Sequence, residues 1–367
     1  MRIEAYRLSV SSEYKRSRAK PFTTLLLEHL PYLTMLVVYM FVAFAVEYIL
    51  GRESLSGLTL RFGILFLFTI LFFSCLLCIG FFMKLARRLA RMIEIHTGQA
   101  RIKNQISKYA FTYERIGGFV IVYVTIPVFL SIFSNVKQSI PLINPFMWDR
   151  TFMRLDYLLH GGQHPWILLQ SFLGHPPVTK VIDYFYVSWF FSLFVFLIWM
   201  GWSNRRQLRA QFFFSFVLIW IVVGMILATL FSSAGPCYYA EVTSEVGPYG
   251  PLMSYLDSIH ENGFLFARKF QKGLWEAYAG NSLLLFGGIS AMPSVHVATT
   301  VLYALVGLRI NRVIGTLLIF YAIIIQIGSI HLGWHFAIDG YFGSLLTICI
   351  WKITGWVINR YRLTPCD

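Results

Sequence analysis

Eight separate runs of apolar residues, each near the length that crosses a bilayer, constrain this chain more than any other feature. They fall at about 31–50, 62–83, 117–136, 184–203, 211–232, 290–308, 313–330 and 337–351, and a spanning helix needs roughly 20 apolar residues. The last run reaches that length only if Trp351 to Val357 extend it. Lipid offers no partner to a bare N–H or C=O, so such runs fold as helices, which satisfy their own backbone. Composition agrees. The 367 residues are 57% hydrophobic and 13% charged, against about 25% charged in a soluble domain. The expected fold is therefore all-α: a polytopic integral membrane protein with about eight transmembrane helices.

Loop charge predicts the orientation. If the N-terminus lies inside, the inner segments 1–30, 84–115, 204–210, 309–312 and 352–367 carry 22 of the 31 Lys and Arg residues. The outer segments 51–61, 137–183 and 233–289 hold the other 9, together with acids such as Asp149, Asp156, Glu241, Glu245, Asp257 and Glu261. Basic residues stay cytoplasmic beside short loops, so both termini are expected inside. The net charge of +14 then reads as topology and contact with anionic membrane lipids rather than nucleic-acid binding. Residues 1–30 are basic and interrupted, without the compact apolar core of a cleavable signal peptide; Tyr6, Leu8, Phe22 and Leu25 to Leu27 among Lys and Arg suggest an interfacial segment. Cys75 and Cys78, three apart in an apolar run, read as helix packing rather than a zinc site, and no cysteine pair suggests a disulfide.

The outer segments are not simple connectors. In 137–183, Trp148-Asp149-Arg150 and Gly161 to Trp166 mix aromatic, charged and turn residues. They suggest amphipathic helices on the outer surface, with Trp148 and Trp166 in the interfacial aromatic belt. The stretch 233–289 is long for a connection in a compact fold, which usually signals function.

Ionisable groups appear at the mouths of the last spans, where they are costly and default to a functional reading. Pro293-Ser294-Val295-His296 opens the sixth run, and His331-Leu332-Gly333-Trp334-His335 precedes the eighth, with Asp339 four residues after His335. The fifth run ends outward at Gly235-Pro236-Cys237-Tyr238-Tyr239. The predicted topology brings all three clusters to one side. Spacing of four puts His335 and Asp339 on one helix face, and a carboxylate on one imidazole nitrogen frees the other for nucleophilic work. His296 lies behind a helix start whose free N–H groups suit a phosphate. Together these point to phosphoryl chemistry on a lipid phosphate, with one histidine accepting the phosphoryl group and the other protonating the leaving oxygen. Two rivals remain on the residues alone. One is a haem or iron oxidoreductase using His296, His331 and His335; the other is a transporter whose histidines relay protons, for which the expected inverted repeats are not visible.

The same residues carry a resemblance. Pro293-Ser294-Val295-His296 resembles the Pro-Ser-Gly-His motif of the type 2 phosphatidic acid phosphatase superfamily, and His335 to Asp339 its His-x-x-x-Asp motif. Phe286-Gly287-Gly288 through His296, with Gly235 to Tyr239, is most similar to the branch of inositol phosphorylceramide synthases and related bacterial proteins. The resemblance is firm over 230–340 and loose over 145–230. It implies a six-helix catalytic domain, expected over 116–367; the N-terminal part, 1–115, an interfacial segment, two spans and a basic inner loop, lies outside the resemblance. It further implies a phosphohistidine intermediate, no cofactor and no metal, with His335 as nucleophile, Asp339 as its partner and His296 as acid.

Two departures stand out. The superfamily carries an Arg six residues before the last histidine, where this chain has Ser329, and Lys and Arg in its first motif, where Gly235 to Tyr239 has neither. Phosphate would then be held by backbone N–H groups near Gly235 and Ser294, by Tyr238 and Tyr239, or by outer cations. Arg150 and Lys269 are the first such candidates, beside Arg154, Arg268, Lys272, Lys137 and Lys180. Tyr238 and Tyr239 read as interfacial aromatics sooner than as ligands.

Overall fold

The computed structural model of the chain describes residues 21–51, 113–284 and 286–361. The expected span 62–83 and nearly all of the basic loop 84–115 lie outside the described residues, as do residues 1–20. Helices make up the described part, with no strand in it. Helix α1 (Pro21–Ile49) is followed by α2 (Tyr113–Lys137), the short turn α3 (Ile140–Ile143), α4 (Asp149–Leu159), α5 (Pro165–Leu173), α6 (Pro176–Gly201) and α7 (Arg206–Leu230). After them come α8 (Tyr239–Thr243), α9 (Gly250–Glu261), α10 (Phe266–Ala279), α11 (Val295–Ile310), α12 (Arg312–His331) and α13 (Ala337–Arg360).

Six of these, α1, α2, α6, α7, α12 and α13, are long and apolar enough to cross a membrane, and α11 is a shorter apolar helix. Each coincides with an expected run. The last is extended through Trp351 to Arg360 as its length demanded, and α6 begins at Pro176, well before the run at 184. That early start places Thr179 and Asp183 in helical turns where both are buried. Helix α11 packs against α12, α13 and α7, while α1 lies against α2 and α7. The core is rich in rings: Phe196 stacks on Tyr303 with centroids 3.9 Å apart, and Phe133 meets Trp220 edge-on at 4.9 Å. Such pairs add about 0.5–1.5 kcal/mol each beyond their buried area. Toward its C-terminal end α7 widens into a π-helical stretch, Val222–Leu227. The carbonyls of Thr229 and Leu230 at its end accept from the Asn144 side chain.

Helices α4 and α5 are the expected surface helices, but α4 is turned inside out. It exposes Leu155, Leu158 and Leu159 and buries Asp149, Phe152 and Asp156. An apolar outer face suits a helix whose surroundings are lipid rather than water. Trp148 and Trp166 do not form a belt. Trp166 is buried, and Trp148 stacks on Phe152 with centroids 5.7 Å apart. Tyr238 and Tyr239 are buried too, not interfacial, because α8 to α10 fold the stretch 239–279 over that end of the bundle. Carboxylates hold this cover down. Asp183 of α6 accepts from the N–H groups of Phe266 and Ala267 at 2.7 and 2.9 Å, capping α10 from another helix. Arg268 forks onto Asp257 of α9, and Gln271 donates to the Leu332 carbonyl.

Candidate active site

Three chain segments meet at one end of the bundle, and backbone bonds lock them together. Cys237 N–H donates to the Gly333 carbonyl and Ala291 N–H to that of Ser233, both at 2.8 Å; Ser294 N–H donates to the Asp339 carbonyl at 3.0 Å. Gly235 is required at its place. Its φ is +98°, and a Cβ there would stand 2.6 Å from the Trp334 carbonyl oxygen, so the first motif closes onto the third only without a side chain.

Helix α4 sets the angle of both loops. Asp149 accepts from the Ser233 hydroxyl and from Ala234 and Gly235 N–H at 2.8 to 3.0 Å. Two turns on, Asp156 accepts from Ala337 and Ile338 N–H at 2.7 and 3.0 Å, capping α13 from outside its own segment. Burial raises both carboxyls above the usual range, and the backbone bonds pull the other way. Sequence reading took these two residues as mere outer acids. Only their seven-residue spacing, one face of a helix, hinted at a shared task.

The loop 332–336 turns on the residue where the resemblance lacks an Arg. The Ser329 carbonyl accepts from both Trp334 and His335 N–H, at 2.9 and 3.0 Å. His335 then presents Nδ1 to the Ala291 carbonyl at 2.8 Å and to Asp339 Oδ2 at 3.3 Å. Two acceptors around Nδ1 fix the proton there and leave Nε2 with the lone pair. Burial pulls the His335 pKa down to about 3 against the bond to Ala291, with the Lys137 charge adding to the depression. The imidazole is therefore neutral near pH 7. Asp339 is fully buried; its Oδ2 also accepts from Phe336 N–H at 2.9 Å, while Oδ1 has no hydrogen-bond partner.

His296 stands 5.8 Å from His335, ring centre to ring centre, at 63°. Trp189 packs 4.1 Å from it and Tyr186 stacks at 5.2 Å. Both histidines line one cavity of about 270 Å³, whose wall includes Tyr186, Phe190, Phe270 and Phe286. Rings and aliphatic groups dominate that wall.

The other sequence candidates separate. Tyr238 lines the cavity, with its hydroxyl donated to the Gln271 carbonyl at 2.9 Å. Gly235 and Ser294 do not line the cavity. Ser294 is the N-cap of α11, its hydroxyl accepting from Val297 N–H. Tyr239 is not at the cavity; it packs on Tyr249. Arg150 is exposed and paired with Glu245 at 2.9 Å, and Lys269 lies over the Phe264 ring. Sequence reasoning missed Tyr186, Ser290 and Trp334, which also line the cavity. His331 is drawn away from His335 into a bond between its Nε2 and the Thr179 hydroxyl at 2.9 Å. Among the described residues no three His, Cys, Asp or Glu side chains form a set that could hold a metal ion.

Among curated proteins and among solved structures nothing matches the chain. The PAP2 superfamily model matches residues 150–353, a stretch that runs from α4 through most of α13 and contains His296, His335 and Asp339. More than half of the chain is covered, and the matched stretch holds the cavity's histidines and the helix that positions them. The chain belongs to the PAP2 superfamily.

Proposed function

We propose that the protein takes a phosphoryl group or phospho-headgroup from a lipid through a phosphohistidine on His335, and passes it to water or a lipid alcohol at the outer leaflet. Membership of the PAP2 superfamily supports phosphatase or phosphotransferase chemistry. The observation that carries the finer reading is a neutral His335 whose Nδ1 is occupied by Ala291 and Asp339, next to His296 in an apolar-walled cavity.

Nε2 of His335 attacks phosphorus as the bond from phosphorus to the leaving oxygen breaks. His296, entering protonated, gives that oxygen its proton. Water or an alcohol then attacks the phosphohistidine, and His296 takes the proton back. Asp339 and the Ala291 carbonyl stabilise the charge that develops on the His335 ring. The start of α11, with its N–H groups and positive dipole end, favours phosphoryl oxygens. Apolar walls suit acyl chains, hence a lipid substrate. The charge bias of the loops, 22 of 31 basic residues in the segments assigned inside, supports an outward-facing site with cytoplasmic termini.

The test is phosphate release or headgroup transfer from a panel of lipid phosphates by purified protein, with acid-labile, base-stable labelling of the enzyme. Turnover without any histidine-bound phosphate would remove the intermediate from the scheme. Sidedness is read separately: Glu245→Cys, at an exposed position, should react with an impermeant thiol reagent on intact cells, and labelling only after permeabilisation inverts the topology.

A further inference from the structure

The family's phosphate-holding cations are missing from the motifs of this chain, and the structure narrows their replacement to one residue. Arg268 is engaged by both oxygens of Asp257 and by Gln271. Lys272 pairs with Asp257 at 3.0 Å, Arg150 with Glu245, and Lys269 rests on Phe264. Arg154 is exposed, and Lys180 lies against Gly263. None of these lines the cavity.

Lys137 does. The last residue of α2, it lines the cavity shared by His296 and His335 and also a smaller one that His296 lines too. It is half-buried, and no carboxylate or hydrogen-bond acceptor among the described residues pairs with its ammonium. A cation partly removed from water without a counter-charge is costly; an anion in the cavity would supply the missing charge. The wall is shaped around this side chain. A Cβ on Gly288 would stand 2.9 Å from Lys137 Cγ, so glycine there makes room for the stem. The next residue, Gln138, accepts from Leu284 N–H at 2.8 Å and ties the end of α2 to the cavity rim. Lys137 and Gln138 themselves precede residue 150, where the family match begins.

We propose that Lys137 holds the phosphoryl oxygens of the substrate, so that the active site is completed by a helix outside the matched region. This rests on the phosphoryl-transfer reading above. An ammonium beside the neutral His335 attracts the anion without competing for the attacking nitrogen, and it disfavours an imidazolium at His335 that could not attack.

The test uses full-length protein in nanodiscs, with orthovanadate as the phosphoryl analogue, read both as direct binding and as inhibition of phosphate release from a short-chain lipid phosphate. Lys137→Met and Lys137→Gln should each weaken vanadate by about ten- to a hundredfold, the range for losing one charge-assisted hydrogen bond. Lys137→Arg should recover most of it. Lys352→Met, an exposed lysine near the far end of α13, should bind as wild type does. Unchanged vanadate affinity in both neutral Lys137 variants overturns the assignment and leaves the phosphoryl-transfer reading standing. Wild-type protein that neither binds vanadate nor releases phosphate brings down that reading, and this one with it.

Discussion

Helix α4 and the first turn of α13 both bury aspartates at the same end of the bundle, yet the two use them differently. Asp149 and Asp156 give all four oxygens to backbone N–H groups or a hydroxyl. Asp339 shares one oxygen between Phe336 N–H and the His335 ring and leaves the other bare. Burial is nearly equal, at 1%, 2% and 0% exposure, so burial does not distinguish a chemical carboxylate from a structural one. The partner does. A carboxylate saturated by fixed amides is part of the frame; one facing an imidazole can respond when that ring gains charge.

The sharpest way to break this division is at the histidines. His335→Ala and His296→Ala should each lower turnover by about a thousandfold or more while the protein still inserts and purifies. Activity above roughly a tenth of wild type in the His335 variant ends its assignment as nucleophile. Asp339→Asn comes next, with a loss of about a hundredfold to ten-thousandfold, because an amide holds the ring without stabilising its positive charge. Asp156→Asn tests the other half. It should lower stability by about 1–3 kcal/mol as the α13 cap weakens, read as a fall in thermal midpoint, and reduce turnover far less than Asp339→Asn. If the two asparagine variants lose activity equally at equal stability, the distinction collapses. The smallest expected effect is none: exhaustive chelation should leave the rate unchanged. Rescue of a chelated enzyme specifically by Mg²⁺ would give the bare Asp339 oxygen a metal to bind and recast Asp339 as a ligand.

Much of the bundle was legible because it depends on local properties. Length and apolarity located α2, α7, α11 and α12 to within a turn or two and the start of α13, and spacing alone paired His335 with Asp339. The early start of α6 was hidden because Thr179 and Asp183 look like loop residues until their partners, Tyr255 and His331 for one and the start of α10 for the other, are in place. Asp149 and Asp156 were counted as outer charge for a similar reason. The donors they accept from lie 84 to 182 residues away in the chain, beyond any local pattern. Lys137 was one cation among several, and nothing short of the packed wall could separate it from Arg150 or Lys269.

The π-helical stretch Val222–Leu227 carries a consequence for chain length. A π turn is an α-helix holding one surplus residue, with the turns on either side kept in phase. The span α7 can therefore lose one residue within 222–227 and relax to a plain α-helix without rotating Ser233 to Gly235 away from Asp149. A deletion one or two turns earlier has no surplus to absorb it, and it would swing everything beyond by about 100°. Single-residue deletions scanned along 206–230 should thus find one tolerant window, close to the site, in an otherwise intolerant helix.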